Sequence, residues 1–247
     1  MKQDIKLHNK NKEFSWSVPS GPYHFFSDQE VKSFNDLGYV VVEDAFSAEE
    51  VNEVIEHIDP YEFNVTEALK GLDGGKFFIS RAEEITFTTH LVTQSDVLKE
   101  FSRHDVFSSI CGDLIGPDVR LYWDQAVYKK PGTKDEFPWH QDNGYTFIEP
   151  QAYLTCWVAL TDTDETNGCP CVVPGLHKRG TLHHENTELG YQIPLDSSES
   201  ITLPLKAGSI AIFSSLTPHR TGPNLSEGIR KSYILQYAPE GSQKTRL

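Results

Sequence analysis

Two short amphipathic blocks near the start of the chain begin in the same way. At "SDQE" (Ser27 to Glu30) a serine precedes a glutamate by three positions, and apolar Val31, Phe34 and Leu37 recur at helical spacing before Gly38. This pattern predicts a helix whose serine and glutamate cap each other's backbone amides. "SAEE" (Ser47 to Glu50) repeats the device, with Val51, Val54, Ile55 and Ile58 on one face and Pro60 just beyond the expected end. The "GYVVVEDAF" between them reads as a strand, and Ser95 to Leu114 predicts one further helix ending near Gly116-Pro117.

After Pro117 the texture changes. "VRLYWDQAVYKK", "AYLTCWVALTD", "CPCVVPG", "ITLPLKAGSIAIFSS" and "RKSYILQYAP" are β-rich runs separated by Gly, Pro, Asn and Asp, with no helical period between them. Closely spaced strands without intervening helices predict a sandwich or closed barrel. No repeat, low-complexity stretch or long linker interrupts the chain. A single domain over 1–247 is expected, with helical support over about 27–116 and a β core over about 117–240.

Composition narrows the partners. The 247 residues carry a net charge of −14, which argues against nucleic acid, because neutralising phosphates needs a basic footprint. A small anionic substrate held by a few local cations remains compatible. The opening "MKQDIKLHNKNKEF" holds no apolar run, and no stretch approaches the ~18 apolar residues of a membrane span, so a cytoplasmic protein without a membrane partner is expected. The tail "KTRL" reads as a charged end rather than a peroxisomal signal. Cys111, Cys156, Cys169 and Cys171 form no zinc spacing and are expected to be buried thiols.

Three histidines are followed two residues later by an acid: His57 by Asp59, His140 by Asp142, and His183 by Glu185. On a helix, positions i and i+2 point about 200° apart, so His57 and Asp59 cannot share an ion. His183 sits in a polar, loop-like stretch that reads as mobile surface. His140 and Asp142 follow Phe137-Pro138-Trp139, which favours extended backbone. There i and i+2 face the same side, and the two groups can converge on one ion. Two histidines plus one carboxylate form the facial triad of non-haem Fe(II) oxygenases. His219, after the apolar run Ile210 to Phe213, supplies the third ligand, with His177 or His183 next in line. Eleven residues on, Arg230 stands in β-rich sequence, where a guanidinium is costly unless it meets an anion such as a dicarboxylate.

His140-x-Asp142, His219 and Arg230, with Trp157 between them, resemble the phytanoyl-CoA dioxygenase family of 2-oxoglutarate-dependent oxygenases over roughly Asp124 to Tyr237. The resemblance implies a mainly β fold with flanking helices and a double-stranded β-helix (jelly roll, cupin-like) core. It also implies Fe(II) on His140, Asp142 and His219, and 2-oxoglutarate anchored by Arg230, with Thr221 as helper, Trp157 as an aromatic wall, and Gln125 as a polar contact to cosubstrate or substrate. Dioxygen is the third reactant; a small-molecule substrate would be hydroxylated as succinate and CO2 leave. Arg81, Asn143, Tyr145, Lys178 and Arg179 are candidate substrate contacts, and a metabolite with at least one negative group is expected. The polar loop from Gly175 to about Ser200 is expected to be a mobile lid. Two alternatives stay open: a cupin-like metal enzyme that does not use 2-oxoglutarate, and a catalytically silent jelly-roll binding module.

Overall fold

The computed structural model describes residues 5–151, 153–195 and 198–245. The first half folds as α1 (Asp28–Leu37), β1 (Tyr39–Val42), α2 (Ala48–Lys70), β2 (Lys76–Phe77), β3 (Ser80–Arg81), β4 (Ile85–Thr89), α3 (Asp96–Phe101) and α4 (Asp105–Leu114). Then come β5 (Val119–Lys129), β6 (Phe137–His140), the one-turn α5 (Asp142–Tyr145), β7 (Ile148–Glu149), β8 (Leu154–Ala159) and β9 (Pro170–Val172). The chain closes with β10 (Glu185–Thr187), β11 (Gly190–Gln192), β12 (Ile201–Thr202), β13 (Ile210–Ser214), β14 (His219–Thr221), β15 (Arg230–Pro239) and β16 (Gln243–Lys244).

Two antiparallel sheets face each other: an eight-stranded sheet in the order β1-β13-β8-β15-β5-β4-β3-β2 and a four-stranded sheet in the order β12-β9-β14-β6. This is the jelly roll with helices on one side. The sequence of β8, "LTCWVA", shows why the large sheet is covered on both faces, since every position is buried. Trp157 and Ala159 point inward with Val127, Phe213 and Ile234. Cys156 and Val158 point outward against Val54, Ile58, Phe107 and Ile110 of the helices. Alternation thus places apolar residues on both sides, each large one contributing about 2 kcal/mol when fully buried.

Both capping boxes form. Ser27 Oγ accepts from Glu30 N while the Glu30 carboxylate accepts from Ser27 N, and Ser47 and Glu50 do the same. Gly38 ends α1 at φ 85°, and a side chain there would also collide with His177 and Thr217.

Four expectations are corrected. The second helix does not stop at Pro60 but runs on to Lys70. Its far half is held by tertiary contacts: Glu62 is buried and, besides accepting from Thr66 one turn on, accepts from Lys130 Nζ (2.7 Å) and Thr86, and Leu69 is buried. These outweigh the helical hydrogen bond that proline removes. The helix expected over Ser95 to Leu114 is two helices, because the His104 ring caps Val106 N and starts a new one. The 27–116 segment is not purely helical support: β1 pairs with β13, and β4 with β5, inside the large sheet. The strand expected from near Ala152 begins at Leu154. Ala152, Asp196 and Ser197 of the polar loop, and Arg246 and Leu247 of the tail lie outside the described residues.

Candidate active site

β6 and β14 pair so that His140 and His219 stand directly opposite each other, with ring centroids 4.1 Å apart. Gln141 stays extended before the chain turns into α5, and this brings Asp142 back beside both rings. Asp142 Oδ1 lies 3.7 Å from His140 Nε2 and 3.8 Å from His219 Nε2. Ligand atoms of the three residues all fall within 4.8 Å of one another. A small ion between them would meet two imidazoles and one carboxylate.

Neighbouring groups fix each ligand's orientation. His140 Nδ1 donates to the Pro138 carbonyl (2.8 Å) and His219 Nδ1 to the Thr217 carbonyl (3.0 Å), leaving both Nε2 lone pairs for a metal. Burial and the adjacent His219 hold His140 well below the ordinary imidazole range, in the neutral form a metal needs. Asp142 Oδ2 accepts from Thr155 Oγ1 at 2.5 Å, and Thr155 accepts from Gln236 Nε2 at 3.3 Å. Oδ1 is thereby left facing the histidines. The site thus joins both sheets: the small one carries the histidines, and the large one holds the carboxylate in place.

Deeper in the barrel, at the start of β15, Arg230 is 1% exposed. Its Nη1 donates to Ser232 Oγ (2.7 Å) and the Val127 carbonyl (3.2 Å), whereas Nε and Nη2 are buried without a hydrogen-bond partner. Its guanidinium carbon lies over the Trp157 ring at 5.3 Å. Burial lowers it to about 10. Directly opposite on β5 is Lys129, also fully buried. Its Nζ donates to the carbonyls of Gly222 (2.5 Å) and Asp135 (3.4 Å) and to Thr221 Oγ1 (3.4 Å). Burial, with Arg230 adding to it, lowers this lysine to about 7. No ion pair engages either cation among the described residues. Two buried cations and an orphaned guanidinium edge form a socket for an anion, and a dicarboxylate fits that chemistry.

The sequence profile of the phytanoyl-CoA dioxygenase (PhyH) family matches residues 34–232. The chain belongs to this family. PhyH enzymes are oxidoreductases that use iron, 2-oxoglutarate and dioxygen, and the His140–Asp142–His219 set fits that iron. Among curated relatives, the chain is 29% identical over 170 residues to a phytanoyl-CoA dioxygenase of Arabidopsis thaliana, covering 66% of this chain and 60% of that protein. It is 26% identical over 230 residues to a probable alpha-ketoglutarate-dependent hypophosphite dioxygenase of Stutzerimonas stutzeri, covering 86% and 78%. Its fold resembles that of EvdO2 from Micromonospora carbonacea, solved with 2-oxoglutarate, at TM-score 0.70 and 21% identity over 92% of this chain and 96% of that one.

Within this PhyH barrel the remaining expected residues separate. Gln125 and Tyr145 line a cavity of about 500 Å3 that opens onto His140 and Asp142. Thr221 faces Lys129, and the contacts expected of it at Arg230 are made by Ser232 and the Val127 carbonyl. Asn143 does not reach the cavity, because its amide is spent on Thr181 Oγ1 and Ile148 N. Arg81 does not reach it either, being paired with Glu84 and Asp135. Arg179 donates to the Ile5 carbonyl and Lys178 pairs with Asp36. His57 contacts Ser95, while Asp59 turns to Tyr128 and Lys231, so that pair diverges.

The polar loop is more firmly tied than a lid. Gln141, buried beside the metal ligands, accepts from Leu182 N and donates to the Gly180 and Leu216 carbonyls. His184 is not mobile surface: its Nε2 accepts from Gln141 N (2.9 Å), and it packs so closely that a side chain at Gly144 would overlap its ring. The β10–β11 hairpin rests on Tyr145 through Tyr191. Lys129, Thr155, Ser232 and Gln236 were not singled out from sequence. Their one local signal was inward parity with Gln125, Trp157 and Arg230 along β5, β8 and β15.

Proposed function

We propose that this chain oxidises a small or medium-sized metabolite, by hydroxylation, with 2-oxoglutarate converted to succinate and CO2. The observation that carries the reading is the buried, half-partnered Arg230 in the same barrel as a converged His140–Asp142–His219 set. A cupin-like enzyme without a carboxylate cosubstrate, or a silent binding module, has no use for a desolvated guanidinium that no group among the described residues neutralises.

When bound, iron and 2-oxoglutarate supply the oxidising chemistry. The chain's own task is orientation. His140, Asp142 and His219 would hold the ion on one side and leave the opposite side open. Arg230 and Lys129 would grip the far carboxylate of 2-oxoglutarate, with Trp157 as a flat wall. Thr155, by donating to Oδ2, would leave Oδ1 of Asp142 for the ion. Tyr145, Phe137 and the β10–β11 hairpin would keep water from the metal.

A cytoplasmic location without a nucleic-acid partner is part of the same reading, supported by the net charge of −14. Among the described residues, no helix is long and apolar enough to cross a membrane. Anaerobic addition of Fe(II) and 2-oxoglutarate tests the assignment. A visible charge-transfer band is expected only when both occupy one centre, and it should vanish in Arg230→Ala at sub-saturating 2-oxoglutarate. No band in the wild type would overturn the assignment.

A further inference from the structure

The cavity in front of His140 and Asp142 has a wall composition that constrains what can enter. Phe77, Phe78, Phe87, Phe137, Trp123 and Tyr145 are among the residues that line it, and no Lys or Arg among the described residues does. The one charged group that lines it among the described residues, Asp142, already serves the metal set. Three basic residues from the flanking segments are committed elsewhere: Arg81 to Glu84 and Asp135, Lys130 to Glu62, and Arg220 to Glu136 over the Trp139 ring. Lys76, next to Phe77, is exposed to solvent and is not among the lining residues. With the Asp142 charge taken up by the metal, an anionic substrate would lose its hydration against aromatic rings with no Lys or Arg among the lining residues to replace it.

The mouth is apolar as well. Phe77 and Phe78 sit on the β2–β3 hairpin, 71% and 61% exposed, and both line the cavity. Phe78 is held at φ 52°, a left-handed conformation that bulky side chains rarely adopt. Exposed phenylalanines at a pocket entrance, one of them strained, have no packing role in the barrel and suit contact with an apolar ligand. Inside, the Gln125 side chain makes no hydrogen bond among the described residues and offers an amide to a neutral polar group.

We infer that the substrate is an uncharged, largely apolar, ring-bearing molecule with a hydroxyl or carbonyl for Gln125, and not a phosphonate, carboxylate or nucleotide-linked thioester. This rests on the dioxygenase reading for the chemistry, though not for the shape or polarity of the cavity. It also replaces the expectation of a negatively charged substrate, which leaned on Arg81, Lys178 and Arg179.

Two dyes with one ring skeleton separate charge from shape: uncharged N-phenylnaphthylamine and its anionic relative anilinonaphthalene sulfonate. Each is titrated by fluorescence into the full chain loaded with Ni(II) and 2-oxoglutarate. The neutral dye should bind at one site at least about tenfold more tightly than the sulfonate. Phe77→Ser with Phe78→Ser, both surface changes, should weaken the neutral dye about fivefold or more with circular dichroism unchanged. Thr89→Arg, which places a cation in the cavity wall, should invert the preference. Equal or tighter binding of the sulfonate by wild type overturns the inference, as does neutral-dye binding that ignores both variants. The anaerobic Fe(II) and 2-oxoglutarate band is recorded in parallel. Its absence with neutral-dye preference intact would sink the dioxygenase reading alone, and its presence with sulfonate preference would sink the substrate class alone.

Discussion

Lys129 offers a quantitative test of the socket around Arg230. Opposite each other on β5 and β15, the two cations share the barrel interior, and burial has lowered the lysine to about 7. The other charges acting on it are Asp135 and Glu136, just beyond β5, which pull the opposite way without forming an ion pair. A dicarboxylate bound against Arg230 would raise Lys129 again, so binding should take up a proton. At pH 8 a lysine near 7 is about one-tenth charged, and uptake should approach about 0.9 proton; at pH 6 it should fall to about 0.1. Calorimetric titration of 2-oxoglutarate into Mn(II)-loaded protein, in buffers of different ionisation enthalpy, reads this number from the slope of the heats.

In Lys129→Met the slope should collapse, with affinity at pH 7 down about tenfold. Arg230→Met should lose about a hundredfold or more, since breaking a buried charge pair costs about 3–5 kcal/mol. Stability gives a second readout with a definite sign. The folded value lies below the ordinary 10.5, so the unfolded chain binds more protons between about 7 and 10.5. Lys129 therefore destabilises the ligand-free protein progressively as pH falls through that window, and fully below it. Ligand-free Lys129→Met should melt higher than wild type at pH 6, with the gap closing near pH 10. Buffer-independent heats, together with unchanged affinity in Lys129→Met, would refute the reasoning.

Other consequences are as direct. Ala at His140, Asp142 or His219 should abolish iron binding, measured by metal analysis, with circular dichroism near wild type. Thr155→Val frees Asp142 Oδ2 and should weaken metal affinity about 10–100-fold, as loss of a ligand's supporting hydrogen bond does. Gln141→Ala strips partners from Leu182 N and two carbonyls and should lower stability by about 1–3 kcal/mol in denaturant titration. Hydrogen exchange should show Leu182 and His183 protected nearly as well as the core strands, with faster exchange in 185–192; uniformly fast exchange across both would restore the mobile-lid reading.

What was legible from sequence depended on how local each signal was. The His140–Asp142 spacing works because two residues of extended chain share a face, and Arg230 betrayed itself as a charge in a strand that had to be buried. Both capping boxes are four-residue devices and were read directly. Lys129 was hidden because "YKK" looks like a solvated strand end; its burial comes from the crossing segments at Asp135 and Gly222. Thr155 and Gln236 matter only through the pairing of β8 with β15, which no local pattern encodes. Arg81 and Arg179 had the right chemistry for an anion, but tertiary partners claimed them. The helix through Pro60 survives on contacts made by Glu62 with residues far along the chain.

The register that sets His140 against His219 also constrains assembly. These residues are roughly eighty positions apart, and short strands such as β6 and β14 close slowly against that loop entropy. Until they pair, neither histidine has its neighbour and Asp142 has nothing to lean toward. A metal ion captured there would clip the two strands together like a rivet, adding binding energy to a four-stranded sheet that holds little apolar bulk of its own. Iron loading would then be a late event that reports a finished barrel, and half-assembled chains would be unable to hold a redox-active metal.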